Sequence, residues 1–127
     1  MSTKQLGDEG EALAAAYLEN EGYVILERNY RFMRAEVDLV CFLPDEAYER
    51  GGQLVFAEVK TRTGYGFGRP EEAVTPEKQQ NLIRAAQAYL HERRLEGSPC
   101  RFDVVGIVLR PGREPEIEHI KDAFWTF

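Results

Sequence analysis

Apolar residues recur along this chain in two rhythms, one helical and one alternating. Leu13, Ala14, Tyr17 and Leu18 fall three and four apart, which predicts a helix from near Asp8 to about Asn20, stopped by Gly22. Tyr23-Val24-Ile25-Leu26 then reads as a strand that continues through Glu27 to Tyr30, and a second strand is predicted over Ala35–Leu43. Pro44–Gln53, with Gly51-Gly52, reads as a loop between antiparallel neighbours, and Leu54–Arg62 as a third strand. Gly64, Gly66, Gly68 and Pro70 mark an irregular loop. Thr75-Pro76 pairs a capping hydroxyl with a proline suited to the first helical position. The helix it opens is predicted to run to about Arg94, burying Leu82, Ile83, Ala86, Tyr89 and Leu90, with Gly97-Ser98-Pro99 closing the segment. Arg101–Leu109 reads as a strand, Pro111-Gly112-Arg113 as a turn and Glu116–Ile120 as a short edge strand. Ala123-Phe124-Trp125-Thr126-Phe127 is too apolar to lie free in water and is expected to dock on the domain, with a dimer contact as the alternative. Helix, three strands, helix and one or two strands predict an α/β fold, a mixed β-sheet flanked by α-helices.

Length changes this picture only by bounding it. The 127 residues fit a single domain, 1–127, able to bury a core without disulfides or a structural metal. No apolar run approaches the roughly 20 residues that span a bilayer. The N-terminal residues lack a signal peptide's apolar stretch, so the expectation is a cytoplasmic protein with no membrane partner. Cys41 and Cys100 show no metal-ligand spacing, and each lies in or beside an apolar strand, where a buried, reduced thiol is the usual outcome.

Two strands break the apolar pattern. Glu36-Val37-Asp38-Leu39-Val40 and Phe56-Ala57-Glu58-Val59-Lys60 place charges where a buried strand should be apolar. Desolvating a charge costs on the order of several kcal/mol unless it is paired or binds a metal. Alternation puts Glu58 and Lys60 on one face of their strand, and Glu36 and Asp38 on one face of theirs. If the strands pair, three carboxylates and an ammonium converge. Such a group suits Mg²⁺ or Mn²⁺ held by oxygen donors, and phosphodiester hydrolysis becomes the leading chemistry. Asp38 and Glu58 are the candidate ligands, the main-chain carbonyl of Val59 could add a third, and Lys60 could orient water or offset phosphoryl charge.

The net charge of −6 argues at first against a polyanionic partner. Its distribution softens the objection. Residues 28–34 carry Arg28, Arg31 and Arg34 without an acid, and residues 60–94 also hold a local excess of three positive charges. A basic rim around an acidic site suits nucleic acid better than the total does.

Asp38 followed by Glu58-Val59-Lys60 on the next strand resembles the core of the PD-(D/E)XK nucleases, whose fold is restriction-endonuclease-like. The fuller string is more specific. Gly7-Asp8-Glu9-Gly10-Glu11, Asn29-Tyr30-Arg31, Glu36 to Val40, Phe56 to Arg62, Val74-Thr75 with Lys78, Arg101 to Val105 and Ala123-Phe124 together resemble the YraN family of bacterial proteins, over nearly the whole chain. That family is similar to archaeal Holliday-junction resolvases, which are Mg²⁺-dependent, dimeric and structure-selective. The resemblance implies an endonuclease acting on DNA, branched DNA included, and a homodimer. By position, Asp38 and Glu58 match the superfamily's metal ligands, Lys60 its catalytic lysine, and Glu11 the resolvases' additional acid. Ala35 departs from the pattern, since glycine is usual there.

Plainer roles compete for several of these residues. Asp8 and Glu11 have the spacing of a helix-capping pair, which would occupy Glu11. Glu36 is a supporting residue of the site or the exposed start of its strand, with the latter favoured. Arg31, Arg62 and Lys78 are weak candidates for phosphate contacts, with solvated charge as the rival. Asp103 is expected to pair with an arginine, and His91 and His119 to be surface or packing residues. The rival to a nuclease is a nucleic-acid-binding module of the same fold without turnover. A third reading, a protein-interaction domain, draws on the acidic charge and the apolar C-terminus.

Overall fold

The computed structural model describes residues 2–44, 51–66 and 68–124. Its elements follow the order α1 (Thr3–Asn20), β1 (Val24–Phe32), β2 (Ala35–Leu43), β3 (Gln53–Arg62), a 3₁₀ turn (Pro70–Ala73), α2 (Pro76–Glu92), β4 (Cys100–Val108) and β5 (Glu116–Phe124). The strands lie in one sheet in sequence order, antiparallel except for β3 and β4, which run parallel with α2 as their crossover. This is the expected mixed sheet flanked by helices.

The two helices cover opposite faces. Ala14, Ala15 and Leu18 of α1 pack with Leu39, Val55, Ala57, Val105 and Ile107. Leu82, Ala85, Ala86 and Tyr89 of α2 pack with Tyr30, Phe56, Phe102 and Val104. Neighbouring residues of β3 and β4 therefore alternate between two cores, which is why these strands read as unbroken apolar runs.

Helix α1 begins five residues before the predicted start. Ser2 caps it, its side chain accepting from Gln5 N at 3.1 Å while Gln5 Oε1 accepts from Ser2 N at 2.8 Å. The cap therefore lies at Ser2 and Gln5, and Asp8 and Glu11 sit inside the helix. Helix α2 starts at Thr75-Pro76 as expected, with Thr75 Oγ1 accepting from Lys78 N at 3.3 Å, and ends at Glu92, two residues early. The short 3₁₀ turn was not anticipated. Gly10 lets α1 lie directly on β3: a β-carbon there would fall 1.8 Å from Thr61 Oγ1 and 2.8 Å from Thr61 Cβ. Gly10→Ala is expected to push α1 off the sheet and lower stability by about 1–3 kcal/mol, read by chemical denaturation. A midpoint equal to wild type would show that the approach is looser than this.

Strand β5 runs to Phe124, four residues beyond the predicted end. An irregularity in its pairing between Phe102 and Val104 is accompanied by Asp122 at φ 53, after which Phe124 stacks on Phe102 with ring centroids 4.9 Å apart. Ala123 and Phe124 thus pack on the core, as expected of the apolar C-terminal run, while Trp125, Thr126 and Phe127 lie outside the described residues. The β2–β3 connection falls on residues 45–50, also outside them, though its two strands are antiparallel as predicted.

Asp103, 1% exposed, is a buried acid within the core. It accepts from Arg101 Nε and an Arg101 terminal nitrogen at 2.8 Å each, lies 2.7 Å from His119 Nε2 and accepts from Asp122 N at 3.0 Å. His119 Nδ1 lies 3.1 Å from the Tyr17 hydroxyl, and Arg101 donates to the Tyr23 hydroxyl at 2.6 Å. The arginine expected for Asp103 is present, and His119 is a packing residue, while His91 is exposed beside Glu96. Both cysteines are free, but only Cys41 is buried. Cys100 is exposed because it opens β4 at the sheet's end. No helix among the described residues is long and apolar enough to cross a membrane.

Candidate metal centre

The site forms where β2 and β3 part. Their pairing runs from Leu43 opposite Gln53 to Leu39 opposite Ala57. Beyond that point a side chain takes over from the ladder: Asp38 Oδ2 accepts from Val59 N at 2.8 Å. This bond fixes the Asp38 carboxylate between the strands. In an extended strand a residue's N–H and C=O face the same edge, so the Val59 carbonyl also faces β2.

Two further carboxylates join Asp38. Glu11 of α1, Glu36 and Asp38 each offer an oxygen, and the three oxygens lie within 4.8 Å of one another. Asn29 ties the group together. With its amide turned to suit its neighbours, its nitrogen donates to Glu11 Oε1 and Glu36 Oε1 at 2.9 Å each. Asn29 stands at φ 53, a left-handed conformation that asparagine tolerates better than most residues. Glu58 comes from β3 and lines the same cleft as Asp38, whose charge acts on it. All four carboxylates, with Val59 and Thr61, line one open cleft of about 330 Å³.

Electrostatics records the crowding. Burial and then the neighbouring Asp38 push Glu58 up to about 9, with Lys60 and Lys78 pulling the other way. Burial, Asp38 and Glu36 push Glu11 up to about 7. Lys60 is held below the usual lysine value, first by burial and also by Lys78, against the attraction of Glu58 and Asp38.

The predicted residues are thus brought together, with one shift of emphasis. Glu11, Asp38 and Glu58 converge on one cleft, and Glu11 is free of the capping role that competed for it. Lys60 lines a neighbouring cavity, within the electrostatic influence of Glu58 and Asp38. The tightest three-oxygen group contains Glu36 in place of Glu58. Sequence reasoning favoured Glu36 as an exposed strand start, and Asn29 had no role assigned. The signal for Asn29 was available, a turn-former in mid-strand. Arg31 is largely exposed and pairs with Glu36 at 3.3 Å. Arg62 donates to the Gly68 carbonyl at 3.0 Å, and Lys78 Nζ donates to the Ala73 carbonyl at 3.3 Å.

Four carboxylates without a cysteine or histidine make a hard-oxygen donor set of the kind that suits Mg²⁺ or Mn²⁺. Without a cation, raised carboxyl values cost stability as pH climbs. An acid whose folded value exceeds its unfolded one contributes most below the unfolded value and loses that contribution as pH rises through the folded one. Metal-free protein should therefore weaken from about pH 4.5 through 7, where Glu11 ionises, and on toward 9, where Glu58 does. Glu58→Gln should be more stable than wild type in EDTA at pH 8, by on the order of 2 kcal/mol, and nearly equal to it at pH 4.5. Denaturation curves at the two pH values check this, and equal stability at pH 8 would contradict it.

Comparison with known proteins gives a family and no activity. The family described as Uncharacterised protein family UPF0102 matches residues 10–107, which include every carboxylate of the cleft. A UPF0102 protein of Chlorobium chlorochromatii (strain CaD3) is 51% identical, the match covering 98% of this chain and 95% of its own. One from Chlorobaculum parvum (strain DSM 263 / NCIMB 8327) is 49% identical, covering 94% and 91%. One from Rhodococcus opacus (strain B4) is 46% identical, covering 94% and 95%.

Proposed function

We propose that this chain, which belongs to the UPF0102 family, is a metal-dependent endonuclease that hydrolyses phosphodiester bonds in DNA, with branched DNA as a candidate substrate. The observation that carries the reading is the convergence of Glu11, Glu36, Asp38 and Glu58 on one open cleft beside Lys60. The donor set fits Mg²⁺ or Mn²⁺. Asp38 and Glu58 would hold the ion, with the Val59 carbonyl, Glu11 and Glu36 as further oxygen donors. When bound, such an ion supplies charge neutralisation on the phosphate and a more acidic water.

The chain's own residues supply the rest. The Val59 N–H holds Asp38 in orientation. Asn29 spaces Glu11 from Glu36 through its two donated bonds. Lys60, held below the usual lysine value by burial, stabilises charge at the phosphoryl oxygens or orients the attacking water. Arg31, Arg62 and Lys78 are candidates for contacts to flanking phosphates. A homodimer belongs to the same reading, since two-fold symmetry suits cutting two strands.

Labelled four-way-junction, flap, single-stranded and duplex DNA, incubated with Mg²⁺ or Mn²⁺, test the proposal. Metal-dependent products are expected, falling by about a hundredfold or more in Lys60→Ala. DNA binding that survives chelation, with no product in either ion, would replace the enzyme by a binding module. Neither binding nor cleavage would overturn both.

A further inference from the structure

A second cavity, about 440 Å³, is lined by Lys60, Arg62, Tyr65, Arg69, Glu116 and Glu118, and β3 serves both spaces, since Glu58, Val59 and Thr61 line the acidic cleft. Its volume lies within the roughly 300–1,000 Å³ of ordinary small-ligand pockets. It stands over the carboxyl ends of the parallel strands β3 and β4, where open α/β sheets place ligands. The fold builds this space. Gly106 of β4 lies against Pro70 so closely that a β-carbon would fall 2.3 Å from Pro70 Cγ. Only glycine lets the 3₁₀ turn seat there and form a wall.

At the rim stands Tyr65, 59% exposed. A large aromatic on a glycine-rich loop gains nothing for the fold by facing water, yet this one is held. The Arg110 guanidinium carbon lies 4.7 Å from its ring centroid, Arg110 donates to its hydroxyl at 3.3 Å, and that hydroxyl donates to Glu116. Glu118 pairs with Arg69 at 3.1 Å. The cavity thus combines a fixed aromatic platform, carboxylate acceptors, and the cations Lys60, Arg62 and Arg69.

Each class of simple ligand leaves part of this unused. A bare anion would be repelled by Glu72, Glu116 and Glu118, and an apolar ligand would strand the charges. A nucleotide uses all of it. Its base can stack on Tyr65, an exocyclic amine can donate to a glutamate, and its phosphate can meet Lys60, Arg62 and Arg69. A base inside a duplex cannot reach such a pocket. We infer that this cavity is a subsite for one unpaired nucleotide bearing an exocyclic amine, next to the phosphate to be cleaved. The placement of that phosphate rests on the nuclease reading above. The inference narrows the substrate to DNA with an unpaired nucleotide at the cleavage point, such as a flap, a bulge or a branch.

The test uses the whole chain and three oligonucleotides: a continuous duplex, the same duplex with one unpaired 2-aminopurine, and a single strand carrying 2-aminopurine. Affinities are read by anisotropy in Ca²⁺ and in EDTA, and stacking by 2-aminopurine fluorescence. Wild type should bind the unpaired forms about tenfold tighter than the duplex and change the fluorescence. Tyr65→Ala should lose both effects, Tyr65→Phe should keep most of each, and duplex affinity should be unchanged in either variant. Thermal melts of the two variants should match wild type, because Tyr65 is exposed. Wild type without preference for an unpaired base, or a preference that survives Tyr65→Ala, would overturn the subsite. If metal-dependent cleavage is then still seen, the nuclease reading stands alone. Tyr65-dependent capture without cleavage in any divalent ion would keep the subsite and remove the nuclease. No binding to any of the three would remove both.

Discussion

Asp38→Asn is expected to lower metal-dependent DNA cleavage by on the order of a thousandfold while leaving the fold intact. The amide oxygen can still accept from Val59 N–H, so the strand junction survives. What disappears is a charge that lies beside Glu11 and Glu36, acts on Glu58 and is held by the backbone of β3. A second readout needs no substrate. At ten times its dissociation constant, a bound divalent ion stabilises a folded protein by about 1.4 kcal/mol. Mg²⁺ or Mn²⁺ should therefore raise the wild-type melting temperature by several degrees and leave Asp38→Asn nearly unmoved. The metal-free variant should also melt higher than metal-free wild type at pH 8, since removing one charge relieves its neighbours. Full cleavage by Asp38→Asn would remove the site from the cleft. Equal metal-induced shifts in both proteins would place the ion elsewhere.

Asp103→Ala carries the largest expected effect on stability. Burial alone would raise the Asp103 carboxyl, but hydrogen bonds from His119, Arg101 and Asp122 outweigh it and hold the group below the usual aspartate value. Its contribution is therefore complete above the unfolded value near 4 and is lost as pH falls below it. Removing it strands Arg101, whose side chain is 15% exposed, and His119, at 4%. Breaking a buried pair from one side costs about 3–5 kcal/mol, a large share of a domain's 5–15. The melting temperature should drop by roughly 10 °C or more at pH 7. The double variant Arg101→Met with Asp103→Leu should recover part of that loss, because the guanidinium is then no longer left unpaired, while His119 Nε2 and Asp122 N still lose their acceptor. A single variant within about 1 kcal/mol of wild type would mean that water solvates the network. Neither change touches the acidic cleft, so residual activity in folded protein should be normal.

Much of the scaffold was legible because its signals are local. The strand expected over about Ala35–Leu43 is present, and Thr75-Pro76 marks the start of α2, since alternation and capping depend only on near neighbours. The start of α1 was missed although Ser2 and Gln5 have capping-box spacing, because the first turns lack an apolar stripe to announce a helix. The length of β5 was missed for a different reason. Its last residues pair only after an irregularity that Asp122 and Asp103 create together, nineteen positions apart.

The amino-acid sequence by itself determined that carboxylates would stand in otherwise apolar strands, and that a lysine would share a face with Glu58. Charge in an apolar strand is visible wherever it occurs. Which carboxylates meet was decided by the tertiary structure alone. Glu36 joins the cleft because β2 pairs with β3 only from Leu39 onward, and Glu11 because Gly10 brings α1 down onto Thr61. Asn29 completes the group from a third strand. The aromatic rim of the second cavity depends likewise on Arg110 and Glu116, far from Tyr65 along the chain. Distances of a few ångströms between residues tens of positions apart follow from how the whole core packs, and no local pattern encodes them.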